Sequence, residues 1–225
     1  MLCWIASLFV DSPWCYALWG IGLLIDFATP WIGQRRLAKI SVHKDHLPER
    51  LGLLTIIILG ESVLEIVTGV NGIEWSRVDL FNLIIAFMLL SCIWWFYFET
   101  LEHVLMGKNL RSGQLSIYGH LPIYIGLITV SAGLLHHITG NISANESLLL
   151  LIIGLVLIAI PLHIMQIVQT PATQKTKQFI SMVLFYASFA AIFYAHNLIS
   201  SYTQLLLLTF SIIIYLLWQH KKKYS

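Results

Sequence analysis

Residues 147–168, Ser147-Leu-Leu-Leu-Leu-Ile-Ile-Gly-Leu-Val-Leu-Ile-Ala-Ile-Pro-Leu-His-Ile-Met-Gln-Ile-Val168, hold no Asp, Glu, Lys or Arg. Twenty or so apolar residues wound as a helix cross a hydrocarbon core of about 30 Å. No water-exposed element tolerates such a run, so this stretch predicts a membrane-spanning helix.

Runs of similar length and character occupy roughly 14–33, 47–69, 79–98, 117–138, 178–197 and 203–219. The apolar decapeptide MLCWIASLFV at 1–10 adds a half-span. It lacks the basic leader and small-residue cleavage site of a signal peptide. The expected fold is all-α: a polytopic transmembrane helix bundle of about seven full spans plus an N-terminal partial span, forming one domain over 1–225. Composition agrees. The chain is 58% hydrophobic and 11% charged, with a mean hydropathy of +0.80; a soluble surface needs about 25% charge. The lipid bilayer is therefore the principal partner. A net charge of +2 without basic–aromatic patches predicts no nucleic-acid partner. Cys3, Cys15 and Cys92 form neither a disulfide framework nor a metal-ligand spacing.

Charge orients the spans. Arg35, Arg36, Lys39 and Lys44 share one loop, Lys108 and Arg111 another, Lys175 and Lys177 a third, and Lys221, Lys222 and Lys223 the tail. Only Arg50 and Arg77 remain of the thirteen Lys and Arg. The basic segments fall on alternate loops, and such segments stay in the cytoplasm. The expectation is a multi-pass plasma-membrane protein with its C-terminus cytoplasmic. Asn141-Ile-Ser143 and Asn145-Glu-Ser147 match glycosylation acceptors on an opposite, outer loop. Trp14, Trp31, Trp94, Trp95 and Tyr97 read as an interfacial aromatic belt.

A short internal similarity relates residues 46–55, HLPERLGLLT, to 120–129, HLPIYIGLIT, with six of ten positions identical. Pro48 and Pro122 are both expected in a first helical turn, where a missing N–H costs nothing.

Ionisable residues within spans are costly and point to function. Asp26 and Glu61 lie near mid-membrane, each about 18–20 Å from one face. Glu65 is one turn beyond Glu61, towards the interface, and Glu99 sits at the inner boundary. Arg50 has Asp26 and Glu99 as candidate partners. His46, Glu49 and Arg50 share one turn at i, i+3, i+4, and His120 opens a later span. Glu61 has no cation on its own helix, which marks it as protonated or facing a polar cavity.

The pattern His46-x-x-Glu49-Arg50-x-Gly52-Leu53, followed by Gly60-Glu61-Ser62, resembles the signature of the bacterial low-temperature requirement protein A family. Trp94-Trp95-Phe96-Tyr97-Phe98-Glu99 resembles its Trp-Trp-x-Tyr-Phe motif, with Glu where Asp is common. Tyr118-Gly119-His120-Leu121-Pro122 resembles its Tyr-x-His-x-Pro segment, and Asp26 and Pro30 also fit. The resemblance runs through nearly the whole chain. It implies a role in growth at low temperature and no particular chemistry. Members of the family carry extra N-terminal helices, in keeping with the half-span at Met1.

The leading expectation is a transporter or an ion or proton pathway for a small solute. Its polar route runs from His46, Glu49, Arg50, Glu99 and His120 through Asp26 to Glu61. The rival is a metal-dependent intramembrane enzyme drawing ligands from His46, Glu49, Glu99, Glu102, His103 and His120. Pro48 between the first two, and Arg50 beside them, argue against it, and no metal is expected. A third reading is a membrane-organising protein without transport or catalysis. No nucleotide-binding loop, Gly-x-Ser-x-Gly elbow or His-Glu-x-x-His motif is present. Most enzyme classes therefore lack support, and no cofactor is expected. A homo-oligomer is left open.

Overall fold

The computed structural model describes residues 2–32, 46–70, 77–106 and 113–223. The chain divides into two compact units: Met1–His43 with Arg111–Leu115, and Lys44–Leu110 with Ser116–Ser225.

In the first unit, α1 (Leu2–Ala6) runs into a 3-10 turn (Ser7–Phe9), and α2 spans Trp14–Ile32. Two indoles tie these pieces together. Trp19 Nε1 donates to Ser7 Oγ at 2.9 Å, and Trp4 Nε1 donates to Asp26 Oδ2 at 3.1 Å. Trp4 can reach that far because its ring lies across Gly22, where a Cβ would meet it at 3.1 Å.

The second unit contains α3 (His46–Gly69), α4 (Arg77–Met106), most of α5 (Gly113–Thr139), α6 (Ala144–Gln169), α7 (Lys175–Tyr194) and α8 (Ser201–Lys223). All six are long and apolar enough to cross a membrane. In α2 the apolar stretch that qualifies is the shorter Trp14–Asp26. The architecture is the expected polytopic bundle; among the described residues no strand occurs. The basic loops at 34–45 and 107–112 and the loop at 71–76 lie outside the described residues.

Helix α4 is the axle. Ala86, Leu89, Ile93, Phe96 and Tyr97 are buried on several of its sides, and it packs against α3, α6 and α8. Helix α7 closes the bundle against α6 and α8. Local signals set the ends of the α5–α6 hairpin. Gly140 takes the left-handed conformation (φ 65°) that stops α5. Ser143 and Glu146 form a capping box that starts α6: Glu146 N–H donates to Ser143 Oγ and Ser143 N–H to Glu146 Oε2.

Without a hydrophobic driving force between helices in lipid, close backbone approach supplies much of the packing. Helices α5 and α6 show it. A Cβ on Gly126 would sit 2.6 Å from the Gly154 carbonyl oxygen, and one on Gly154 would sit 2.8 Å from that of Gly126. Gly133, seven residues on from Gly126, faces Leu151, and Gly119, seven before it, faces Met165.

Two expectations change. Pro48 is the third residue of α3, as a first-turn proline should be, but α5 starts at Gly113 and encloses Pro122. The polar segment preceding His120 continues the helix, so the two similar decapeptides occupy different places in their helices. Tyr97 leaves the aromatic belt altogether: it is 1% exposed, whereas Trp94 on the same helix is 50% exposed. Successive residues point about 100° apart on a helix, so one run of aromatics serves lipid and core at once.

Candidate functional site

The aromatic run of α4 distributes its rings among three neighbours. Trp95 stands edge-on to His220 of α8. Phe96 turns towards His163 of α6 and Tyr215 of α8. Tyr97 turns the other way, and its hydroxyl meets His120 Nε2 of α5 at 2.8 Å. Which of the two donates depends on the imidazole tautomer.

Around that pair lies a buried polar cluster joining α3, α4 and α5. The buried hydroxyl of Thr55 donates to the Leu51 carbonyl at 2.9 Å. Tyr124 donates to the same carbonyl across the helix interface at 3.1 Å. Further along the α3–α5 seam, Ser131 Oγ donates to Glu65 Oε2. Polar groups thus recur along one interface from Leu51 to Glu65, about 20 Å of helix.

A second network fills the space between α4, α6, α7 and α8. Gln166 is its hub. Its Nε2 donates to Thr100 Oγ1 at 2.8 Å, and its Oε1 accepts from Gln178 Nε2 at 2.9 Å and from Tyr215 Oη at 3.0 Å. Gln219 Nε2 donates to the Tyr215 oxygen at 2.7 Å. Beside it His163 Nδ1 meets Tyr186 Oη at 2.7 Å. The His163 ring sits among Phe96, Phe185, Tyr186 and Tyr215.

The Gln166 network and the Tyr97–His120 pair lie towards the end of the bundle that carries the lysines of α7 and α8. A family model described as Bacterial low temperature requirement A protein (LtrA) matches residues 1–217. The chain belongs to the LtrA family. A similar protein is an uncharacterized protein of Rhizobium meliloti (strain 1021), 26% identical over 144 residues, which cover 58% of this chain and 35% of the relative. The chain therefore spans about a third of that relative's length. No solved structure matches.

The LtrA chain places its sequence-predicted residues unevenly. His120 lies in the buried cluster, 1% exposed. His46 and Glu49 are both exposed at the start of α3, with His46 Nδ1 3.7 Å from Glu49 Oε2. Arg50 is exposed as well, and among the described residues of its unit it forms no ion pair. Glu61 is on the exposed side of α3, next to Gly60, where a Cβ would meet nothing within 4 Å among the described residues. Glu99 is half-buried near the end of α4. Asp26 belongs to the first unit, bound by Trp4. Among the described residues no three His, Cys, Asp or Glu gather as a metal site; the side chains of Glu102 and His103 lie outside them.

Charge is what singles out a residue within an apolar span, and most of the buried polar groups carry none. Tyr97, Thr100, His163, Gln166, Gln178 and Tyr215 therefore do not stand out in the sequence as candidates. A usable signal did exist. Gln166, Gln178 and Gln219 each stand within a few turns of a span's lysine-bearing end, and amides there need partners.

Proposed function

We propose that this LtrA protein is a transport or proton-pathway protein of the plasma membrane, contributing to growth at low temperature. Its route follows the α3–α5 seam, and the transported species is a proton or a small polar solute. The observation that carries the reading is the line of polar groups on that seam, from Tyr97–His120 and the Leu51 carbonyl shared by Thr55 and Tyr124 to Ser131–Glu65. Polar contacts between membrane helices give only about 0.6 kcal/mol each, so packing alone is a weak reason to bury so many. Hydroxyls, an imidazole and a carboxylate can all accept and pass on a proton, and ionisable groups inside bundles characteristically line such routes. The alternating basic segments support a cytoplasmic C-terminus, with the His120 end of the seam facing the cytoplasm.

The test is flux. Purified protein in liposomes enclosing a pH-sensitive dye is given an outward potassium gradient with valinomycin, which draws protons inwards. Uptake above empty liposomes, cut at least tenfold by His120→Ala in protein that still inserts, is the expected result. Uptake equal to that of empty liposomes, for protons and for a panel of small ions, would overturn the reading.

A further inference from the structure

Between α7 and α8 the surface of the bundle opens into a groove of about 280 Å³. Leu184, Phe185, Ile214, Tyr215 and Trp218 give it apolar walls. Ser181, Ser188 and Ser211 give it depth, because each is small where a larger residue would fill the space. Their hydroxyls are turned back on their own helices, to the carbonyls of Gln178, Phe185 and Leu207 at 2.7, 2.7 and 2.8 Å. The groove therefore presents hydrocarbon and saturated polar atoms, a lining suited to an acyl chain rather than to a polar solute.

One end of the groove is basic. Lys177 precedes Ser181 by four residues and Lys221 follows Trp218 by three, so each shares a helix face with the lining. Because α7 and α8 are antiparallel neighbours, both lysines fall at the same end, and both are exposed. Lys175, two residues before Lys177, is turned about 200° away on the helix. From Lys177 to Ser188 is about 16 Å of helix, one leaflet of a bilayer core. Length, lining and charge together describe one kind of occupant. We propose that this groove is a binding site for an anionic phospholipid, one acyl chain lying between α7 and α8 and the phosphate held by Lys177 and Lys221.

The experiment uses the full chain, delipidated in neutral detergent and titrated by native mass spectrometry. Phosphatidylglycerol and phosphatidylcholine with the same acyl chains are compared, with glycerol 3-phosphate as the free headgroup. Phosphatidylglycerol is expected to bind at least tenfold more tightly than phosphatidylcholine. Lys177→Gln with Lys221→Gln should remove about tenfold or more of that affinity, while Lys175→Gln leaves it unchanged. Ser211→Leu, which fills the groove, should weaken both lipids; Ser188→Val serves if that variant does not fold. Equal binding of the two lipids overturns the proposal. So does an equal effect of Lys175→Gln, which would mean diffuse surface charge, or binding of glycerol 3-phosphate as tight as that of the lipid, which would mean an anion site without a groove.

Discussion

Tyr97 and His120 lie 23 residues apart on neighbouring helices and share a 2.8 Å hydrogen bond from which water is excluded. The bond fixes the rotation of α4 against α5, because neither side chain can turn away without burying a lone polar atom. Tyr97→Phe keeps the ring and deletes the hydroxyl. A polar contact between membrane helices gives about 0.6 kcal/mol, and a well-buried one up to about 1.7, so the thermal midpoint in detergent should fall by a degree or a few with insertion intact. An unchanged midpoint would mean that the pair contributes nothing to packing.

The Gln166 hub makes a sharper claim. Replacing Gln166 with Leu removes the acceptor used by both Gln178 and Tyr215. Tyr215→Phe removes one of those donors. If the network acts as a unit, the two substitutions should couple by about 0.5–2 kcal/mol in a double-mutant cycle, each costing less in the presence of the other. Strict additivity of the unfolding free energies would count against it.

Two glycines separate packing from exposure. Gly126→Ala drives a Cβ to within 2.6 Å of the Gly154 carbonyl, so α5 and α6 must part. That variant should insert poorly, or melt several degrees lower. Gly60→Ala meets no atom within 4 Å among the described residues. Alanine should stabilise α3 there by up to about 1 kcal/mol through helix propensity. Melting curves of the two variants give the comparison, and a Gly60→Ala loss as large as that of Gly126→Ala would show that this exposed face is covered by something else.

Much of the bundle was legible because lipid imposes a simple rule: backbone polar groups must pair within a helix, and the run of apolar residues has to be about 20 long. The spans at 147–168 and 79–98 follow directly, and α6 and α4 contain them. The buried polar cluster was legible only where a charged or titratable residue stood out, as His120 did. Which side of a helix faces inward is set by tertiary packing, and the apolar spans are hydrophobic nearly all round, leaving no amphipathic stripe to read. Tyr97 and Trp94 are three residues apart and similar in kind, yet one is core and the other surface. Glu61 and Glu65 pose the same problem, and the fold distinguishes them by exposure and by the placement of Ser131 against Glu65.

Topology is tested independently of any mechanism. Reporter fusions after Lys44, Lys108, Lys175 and Lys223 should score cytoplasmic, and fusions near Asn71 and Asn145 external. The prediction rests on the alternation of basic segments. Two successive loops scoring on the same side would break it, and would also move the His120 cluster away from the cytoplasmic end.

The last prediction sets the two carboxylates of α3 against each other. Glu61 and Glu65 are one turn apart, but Glu61 is exposed while Glu65 accepts a hydrogen bond from Ser131 inside the α3–α5 seam. If protons or ions follow the seam, the acid that matters is Glu65. Glu65→Gln keeps the side chain's length and an oxygen that Ser131 can still bond, but it cannot bind and release a proton. Such a variant should insert at wild-type levels, lose at least tenfold in liposome flux, and fail to restore growth of a deletion strain in the cold. Glu61→Gln, altering a group outside the seam, should retain flux within about twofold, since exposed substitutions away from a site change little. The opposite pattern, with Glu61→Gln inactive and Glu65→Gln active, would place the route on the exposed face of α3. The seam's hydrogen bonds would then be packing contacts, and the pathway proposed along it would be wrong.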